Sequence, residues 1–313
     1  MALRQVTVFG GSGFIGRYAV QRIARAGARV AVAVRDTEAA QFVRMFGQLG
    51  QVSPLPCDIT RPETIAAALH GSDSAVNLVG ILYERGRQRF DAVHHQGAAA
   101  IARAARAAGL KRLVHISAIG ADPNAPSAYA RSKGLGEDAV RAAFPEATIL
   151  RPSIVFGPDD DFFNRFARLA RIAPVLPLFG GGRTRFQPVY VGDVADAVVA
   201  ALTDKASRGR TYELGGPAVL SFEDILRLIL AETKRSRCLV RLPFWVADVL
   251  GALSPILPRL PGRPPIITRD QARQLRRDNV VAEGAAGLKD LGVLPTTLEL
   301  ALPTYLDKYR RRP

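Results

Sequence analysis

The sequence predicts an α/β protein, a doubly wound parallel sheet followed by a smaller C-terminal α+β lobe. Three observations carry this. Apolar and β-branched runs alternate with Ala-rich helical stretches up to about residue 155, the pattern of a parallel sheet covered on both faces by helices. A knot of glycines joins the first strand to the first helix within "VTVFGGSGFIGRYAVQRIARAGARVAVAVRD", residues 6–36. After residue 155 the texture changes, with Gly and Pro gathered at 156–161 and 174–183. Residues 1–155 are therefore expected to form the main domain, and 156–313 a smaller lobe with segments that return to it.

The expected strands are 6–9, 29–34, 52–55, 74–79, 112–117 and 148–151, and the expected helices between them are 16–26, 38–46, 62–69, 97–108 and 133–144. Further on, "VYVGDVADAVVAAL" predicts a short strand followed by a helix, and the remainder two or three helices with scattered short strands. With 313 residues and 48 % hydrophobic composition, the chain can bury a full core. The formal net charge is +15, yet no Lys/Arg block is longer than the Arg310–Arg312 tail. That distribution argues against a nucleic-acid partner and for a basic surface that meets an acidic protein or anionic lipid. Cys57 and Cys238 have no metal-type spacing, which fits a reducing compartment without a disulfide framework. No leader is expected before the first strand, and no apolar run reaches the ~20 residues that span a bilayer.

The glycines Gly10, Gly13 and Gly16 stand in a GxxGxxG pattern at a strand–helix junction. Gly10 suits the tight turn, Gly13 the approach of a pyrophosphate, and Gly16 close packing of helix on strand. Ser12, Phe14, Ile15 and Arg17 flank them at the helix start, where free N–H groups and the positive dipole end favour phosphate. This is a Rossmann-type cradle. The second strand ends in Val34 and Arg35, where an NAD-selective cradle has Asp or Glu for the ribose 2′-OH. A guanidinium suits a 2′-phosphate instead, with Arg17 as a second positive group. NADP(H) is thus expected in preference to NAD(H). The alternative leaves Arg35 as a solvated loop residue and turns Asp36 inward as the ribose acid. Asp58, with Ile59, follows strand three where a carboxylate can accept from the adenine amino group. Val79 and Gly80 end strand four, where Gly80 leaves room for a ribose.

Strand five ends at Ser117, and "YARSK" follows with Tyr129 and Lys133 one helical turn apart. An ammonium beside a phenol lowers its pKa. Ser117, Tyr129 and Lys133 are therefore the expected proton relay, with Ser117 polarising a carbonyl or alcohol and Lys133 also holding the nicotinamide ribose. No metal site is expected. His94 and His95 lack a third ligand and are assigned to solvent or a helix start, and "DDD" at 159–161 to a turn and helix cap. "FGGGRTR" at 179–185 lacks the ending of a phosphate loop and is expected to face the cofactor cleft.

This layout resembles the extended or atypical short-chain dehydrogenase/reductases. "RPSIVFGPDD" and "RTRFQPVYVGDVADAV" are similar to that superfamily's nicotinamide-contacting and substrate-lobe stretches, which implies cofactor contact by Pro152, Ser153 and Ile154. More narrowly, "YARSKGLGEDAVRAAFPEATILRPSIVFGPDDDFFNRFARLA", "QPVYVGDVADAV" and "ITRDQARQLRRDNVV" resemble the nucleotide-binding accessory subunit of respiratory complex I and its bacterial relatives. That resemblance covers most of the chain and is weakest at 200–240 and the extreme C-terminus. It implies tightly bound NADP(H) that is structural or regulatory, and complex I subunits around the quinone-reducing region as partners. It also implies a peripheral place on the cytoplasmic face of a bacterial inner membrane. His94 stands where the superfamily commonly has an asparagine that organises the active-site backbone, a departure that counts against catalysis. The competing expectation is a free-standing NADP(H)-dependent reductase or epimerase using Ser117, Tyr129 and Lys133.

The stretch 242–268, "LPFWVADVLGALSPILPRLPGRPPIIT", is apolar but broken by Asp248 and by prolines from Pro255 on. Phe244, Trp245, Val249, Leu250, Leu253 and Leu257 are expected on one apolar face. That face either packs in the small lobe or lies on a partner or membrane, with Arg259, Arg263 and Arg269 toward phospholipid headgroups.

Overall fold

The computed structural model describes residues 3–253 and 268–311. The first half contains β1 (Gln5–Phe9), α1 (Phe14–Arg25), β2 (Arg29–Val34), β3 (Val52–Pro56), α2 (Pro62–Leu69), β4 (Ser74–Asn77), α3 (Ala98–Ala107), β5 (Arg112–Ile116), α4 (Ala128–Ala143) and β6 (Thr148–Pro152). Next come β7 (Val155–Phe156), α5 (Phe162–Ile172), β8 (Val175–Phe179), β9 (Arg185–Phe186), β10 (Val189–Tyr190), α6 (Val191–Thr203) and β11 (Thr211–Leu214). Then follow β12 (Leu220–Ser221), α7 (Phe222–Glu232), β13 (Cys238–Leu242), α8 (Phe244–Leu253), α9 (Arg269–Gln274) and α10 (Leu298–Leu306).

Seven strands form one parallel sheet in the order β11-β6-β5-β4-β1-β2-β3. Both faces are covered, because the strands carry apolar side chains on both. Val6, Val8 and Val32 pack beneath α1 and α6 with Val20, Ile23, Val194 and Val198. Phe9, Ala75 and Leu113 pack on the other side against Ile65, Leu69, Ile101 and Phe144. The buried hydroxyl of Thr7 stays satisfied by donating to the Ala68 carbonyl at 2.8 Å, as a buried polar group must. A separate core gathers Phe156, Phe163, Leu176, Phe186, Phe222, Ile225 and Leu302 in the small lobe. Chain from the second half returns to the main sheet, since α6 packs on α1 and β11 adds a strand beside β6.

Several boundaries move for identifiable reasons. β4 ends at Asn77, not at 79, because the Asn77 side chain takes the Val79 N–H at 3.1 Å in place of a ladder partner. The helix expected at 38–46 shrinks to one 3₁₀ segment, Gln41–Phe46, since the Asp36 carboxylate turns the chain by accepting from Ala39 N at 2.9 Å. A wide turn of π-helix, Asp91–Gly97, precedes α3. α1 begins at Phe14 and α4 at Ala128, earlier than periodicity alone suggested. Four helices, not two or three, follow β11 among the described residues.

The apolar face expected along α8 divides. Phe244 turns inward, with a Cβ on Gly180 overlapping its ring and the Arg276 guanidinium 5.2 Å from its centroid. Trp245, Val249 and Leu250 are exposed at 65 %, 48 % and 38 %. Leu257, Arg259 and Arg263 lie outside the described residues, as does the side chain of Leu253. The Gly180–Gly182 turn, expected at the cofactor cleft, packs against Phe244 and Glu223 of the small lobe.

Candidate functional site

The strand order reverses between β1 and β4, and a crevice at such a switch point is where open α/β sheets take ligands. Gly10 leaves β1 with φ +76°, and a Cβ there would lie 3.2 Å from the Leu78 and Val79 backbone. A Cβ on Gly16 would overlap the Gly10 carbonyl oxygen, so only glycine lets α1 start this close to β1. Gly13, the N-cap, offers no side-chain cap, and no acidic residue occupies the first turn. The N–H groups of Phe14, Ile15 and Gly16 thus retain the anion affinity of a helix start. These features fit a diphosphate.

The loops after β2 and β3 carry the residues expected at the adenosine end. Arg35 is exposed, and the Gln88 amide, oriented with its oxygen inward, accepts from both terminal nitrogens at 2.8 and 2.5 Å. Asp58 uses Oδ1 to accept from Thr60 N at 3.0 Å and Thr60 Oγ1 at 2.7 Å. The Thr60 N–H and hydroxyl, with Arg35 and Arg61 nearby, hold the Asp58 carboxyl below its ordinary value. Ile59 is wedged under the π-turn, 2.5 Å from where a Cβ on Gly97 would sit. Arg17 does not stand as the free second cation. Its Nη1 pairs with Asp159 at 3.1 Å, its Nη2 reaches the Ser12 carbonyl at 3.5 Å, and its plane covers Phe42 at 5.4 Å. Asp36 is exposed and closes its own turn.

At the end expected to hold nicotinamide, α4 brings Tyr129 and Lys133 onto one face. Lys133 is buried and donates to the Ile116 carbonyl at 3.1 Å. Burial pulls its pKa down to about 8 against the opposing pull of Glu137. Gly80 lies between Lys133 Nζ and His94 Nε2, 3.4 and 3.6 Å from its would-be Cβ. Ser117 is 3 % exposed, and its hydroxyl has no hydrogen-bond partner among the described residues, an orphan that a ligand would satisfy.

The expected activation of Tyr129 is corrected by its surroundings. The ring sits half-buried at the edge of Phe90 and His94. Burial first, then the Asp270 carboxylate, push the phenol up to about 12. Asp270 arrives from α9 and caps α4, accepting from Ala128 N at 2.7 Å, Ser127 Oγ at 2.8 Å and Tyr129 N at 3.1 Å. A carboxylate in this place opposes the helix dipole that would help a phenolate. Lys133, the expected activator, is tied to the strand instead.

His94 is also corrected. It is 1 % exposed, so the assignment to solvent falls, while its place in the π-turn leading into α3 keeps the assignment to a helix start. Its Nε2 accepts from Ile81 N at 2.9 Å, so Nδ1 carries the proton toward Ser132 Oγ at 2.9 Å. Ser132 in turn donates to the Tyr129 carbonyl at 2.8 Å. Burial lowers the His94 pKa to about 2. The imidazole thus ties the β4 loop to the first turn of α4, supplying backbone organisation by a different side chain.

Beyond β6, Pro152 accepts from Ile119 N at 3.1 Å and Ser153 N donates to the Leu214 carbonyl at 2.9 Å. The Asn279 side chain accepts from Ser153 Oγ at 2.7 Å and from Ile154 N at 3.1 Å. The polar groups of Ser153 and the N–H of Ile154 are therefore already bonded within the chain. Asp270 and Asn279 both escaped the sequence analysis. The Thr268–Gln271 capping box announces α9, but nothing local shows that Asp270 spans 142 positions to reach Ala128.

A model of the NAD dependent epimerase/dehydratase family matches residues 6–215. The chain is 36 % identical over 313 residues to the mitochondrial NADH dehydrogenase [ubiquinone] 1 alpha subcomplex subunit 9 of Arabidopsis thaliana, covering 97 % of this chain and 78 % of that protein. With its Mus musculus counterpart the identity is 35 % over 305 residues, covering 97 % and 80 %. Among solved structures, Thermus thermophilus UDP-glucose 4-epimerase in complex with NAD superposes with a TM-score of 0.70 at 20 % identity, covering 97 % and 98 %. That last likeness concerns the fold alone. The chain belongs to the NAD dependent epimerase/dehydratase family and, within it, groups with the alpha subcomplex subunit 9 proteins of NADH dehydrogenase.

Proposed function

We propose that this protein is an accessory or assembly subunit of respiratory complex I that holds NADP(H) without turning it over. The observation that carries the reading is a contrast within one cleft: an open glycine cradle faces a Tyr129 whose helix is capped by the Asp270 carboxylate. Gly10, Ser12, Gly13, Phe14, Ile15, Gly16 and Arg17 would form the diphosphate end. Arg35, Asp58 and Ile59 would take the adenosine, with Arg35 toward a 2′-phosphate. Val79, Gly80, Ser117, Tyr129, Lys133 and the Pro152–Ile154 turn would line the nicotinamide end. Bound nicotinamide would supply hydride chemistry, while these residues would orient it, with the buried Ser117 hydroxyl and the Lys133 amine available to it.

The Arabidopsis and mouse relatives are named as subunits of an NADH dehydrogenase [ubiquinone] alpha subcomplex, which supports complex I subunits as partners and a peripheral station beside the quinone-reducing region. In a bacterium that station is the cytoplasmic face of the inner membrane. No helix among the described residues is long and apolar enough to cross a membrane, and the exposed Trp245, Val249 and Leu250 support contact with phospholipid or a partner. The test is to denature purified protein and identify the nucleotide released. One NADP(H) per chain that resists exchange is expected, and so is co-purification with quinone-module subunits from the native host. Arg35→Ala should weaken NADPH by about tenfold or more while leaving NADH nearly unchanged, the loss of a charge-assisted contact. Equal affinity of wild type for both dinucleotides would remove the NADP(H) assignment.

The orphan hydroxyl of Ser117 favours a second reading, a reductase or epimerase acting on its own. It predicts turnover of bound NADPH on a carbonyl, quinone or nucleotide-sugar panel, abolished by Tyr129→Phe with cofactor binding intact. No oxidation by any member of the panel rejects it.

A further inference from the structure

Away from the dinucleotide crevice, the small lobe has a cleft of about 820 Å³ between the end of α7 and strands β8 and β13. Five cations line it, Arg227, Lys234, Arg235, Arg237 and Arg241, against one carboxylate, Glu223. Glu223 is shared by Arg227 at 2.7 Å and Arg241 at 3.4 Å. Lys234, Arg235 and Arg237 meet no carboxylate among the described residues. Arg235 and Arg237 are instead anchored on backbone carbonyls, Arg235 Nε on Tyr309 at 3.2 Å, Arg237 Nε on Ala170 at 2.8 Å and Arg237 Nη1 on Ser236 at 2.9 Å. Anchored guanidinium groups are preorganised, so less entropy is lost when their remaining edges take an anion. Beyond burial, the like charges of Arg237, Arg171 and Arg311 press the Arg235 guanidinium below its ordinary value, a repulsion that an anion relieves.

The backbone adds an independent sign. α7 ends in a Schellman turn, with Lys234 N donating to Ala231 O at 3.0 Å and Arg235 N to Leu230 O at 2.9 Å. The left-handed position of that turn favours glycine, yet Lys234 occupies it at φ +51°, the only positive φ outside glycine among the described residues. A strained residue that keeps its charge at a cationic cleft points to a ligand.

We propose that this cleft is a binding site for a phosphate-bearing anion. Terminal guanidinium edges and a lysine suit a phosphate's clustered oxygens better than a single carboxylate. The phosphate has two possible sources, a soluble phosphate ester or the headgroup of an anionic lipid. The second is close at hand, because Arg241 stands four positions before the exposed Trp245 of α8.

Cys238 lines the cleft and is exposed, while Cys57 is buried. Alkylation of Cys238 by an uncharged maleimide therefore reports occupancy. The full chain is titrated with sodium pyrophosphate and, separately, with phosphatidylcholine vesicles containing or lacking phosphatidylglycerol. Protection by pyrophosphate supports a soluble source, and protection only by phosphatidylglycerol vesicles supports a lipid headgroup. Lys234→Gly relieves the backbone strain, so it should keep or raise the Tm while weakening the protecting anion by about tenfold, the loss of one charge-assisted contact. Arg235→Gln with Arg237→Gln should weaken it further, with dinucleotide retention unchanged. Absence of protection by both probes, or equal protection of wild type and both variants, overturns the proposal.

Discussion

The two ends of the dinucleotide crevice are built in opposite ways. At the end expected to take phosphate, the geometry resides in the backbone of one short stretch, Gly10 to Arg17, where missing side chains let α1 meet β1. At the end expected to hold nicotinamide, side chains from distant segments converge: His94 on the π-turn, Ser132 on α4, Asp270 on α9 and Asn279 beyond it. The first end depends on what is absent, the second on what has been brought in. A binding cradle can therefore persist while the residues beside the reactive ring are pinned by structural partners.

The comparison breaks most severely at Gly16. Gly16→Val drives a branched side chain into the Gly10 carbonyl, and overpacking of this kind costs about 3 kcal/mol or more. Thermal melting and assay of released nucleotide should show a large Tm loss and an empty cradle. Acid should act at the other end. His94 and His115 are buried and neutral, with pKa values lowered from 6.5 to about 2 and about 3. The unfolded chain binds protons below 6.5 that the fold does not, so this stability is full above 6.5 and shrinks as pH falls toward the folded values. At one pH unit below 6.5, the loss approaches ~1.4 kcal/mol for each histidine. Melts at pH 7.5 and 5.5 measure it. His94→Asn should shallow the dependence, and an unchanged slope would mean that His94 is not the titrating group.

Asp270→Ala removes three acceptor contacts and a negative charge from the start of α4, a loss of about 1–2 kcal/mol by analogy with helix caps. The Tyr129 phenol should titrate at lower pH, visible as a phenolate difference spectrum against Tyr129→Phe. If that spectrum does not move, Asp270 is not what suppresses the phenolate. The smallest effect is expected from Ser117→Ala. Its hydroxyl has no partner to lose among the described residues, and removing a buried unsatisfied hydroxyl lifts its desolvation cost, so stability without nucleotide should hold or rise by about 1 kcal/mol. A loss would show a structural bond in place of an orphan.

Alternating runs, glycine positions and the Tyr129/Lys133 spacing were enough to derive six of the seven sheet strands, the glycine turn between β1 and α1, and the face shared by those two side chains. Each depends on neighbours within a few positions, and local sterics and periodicity act over that range. Boundaries shifted wherever a side chain substituted for a backbone partner, as Asn77 and Asp36 do. The protonation of Tyr129, the burial of His94 and the sealing of the Ser153–Ile154 turn belonged to the tertiary structure alone. Electrostatic environment and desolvation are set by whatever segment packs nearby. Here that segment begins at Thr268, far along the chain from the helix it caps.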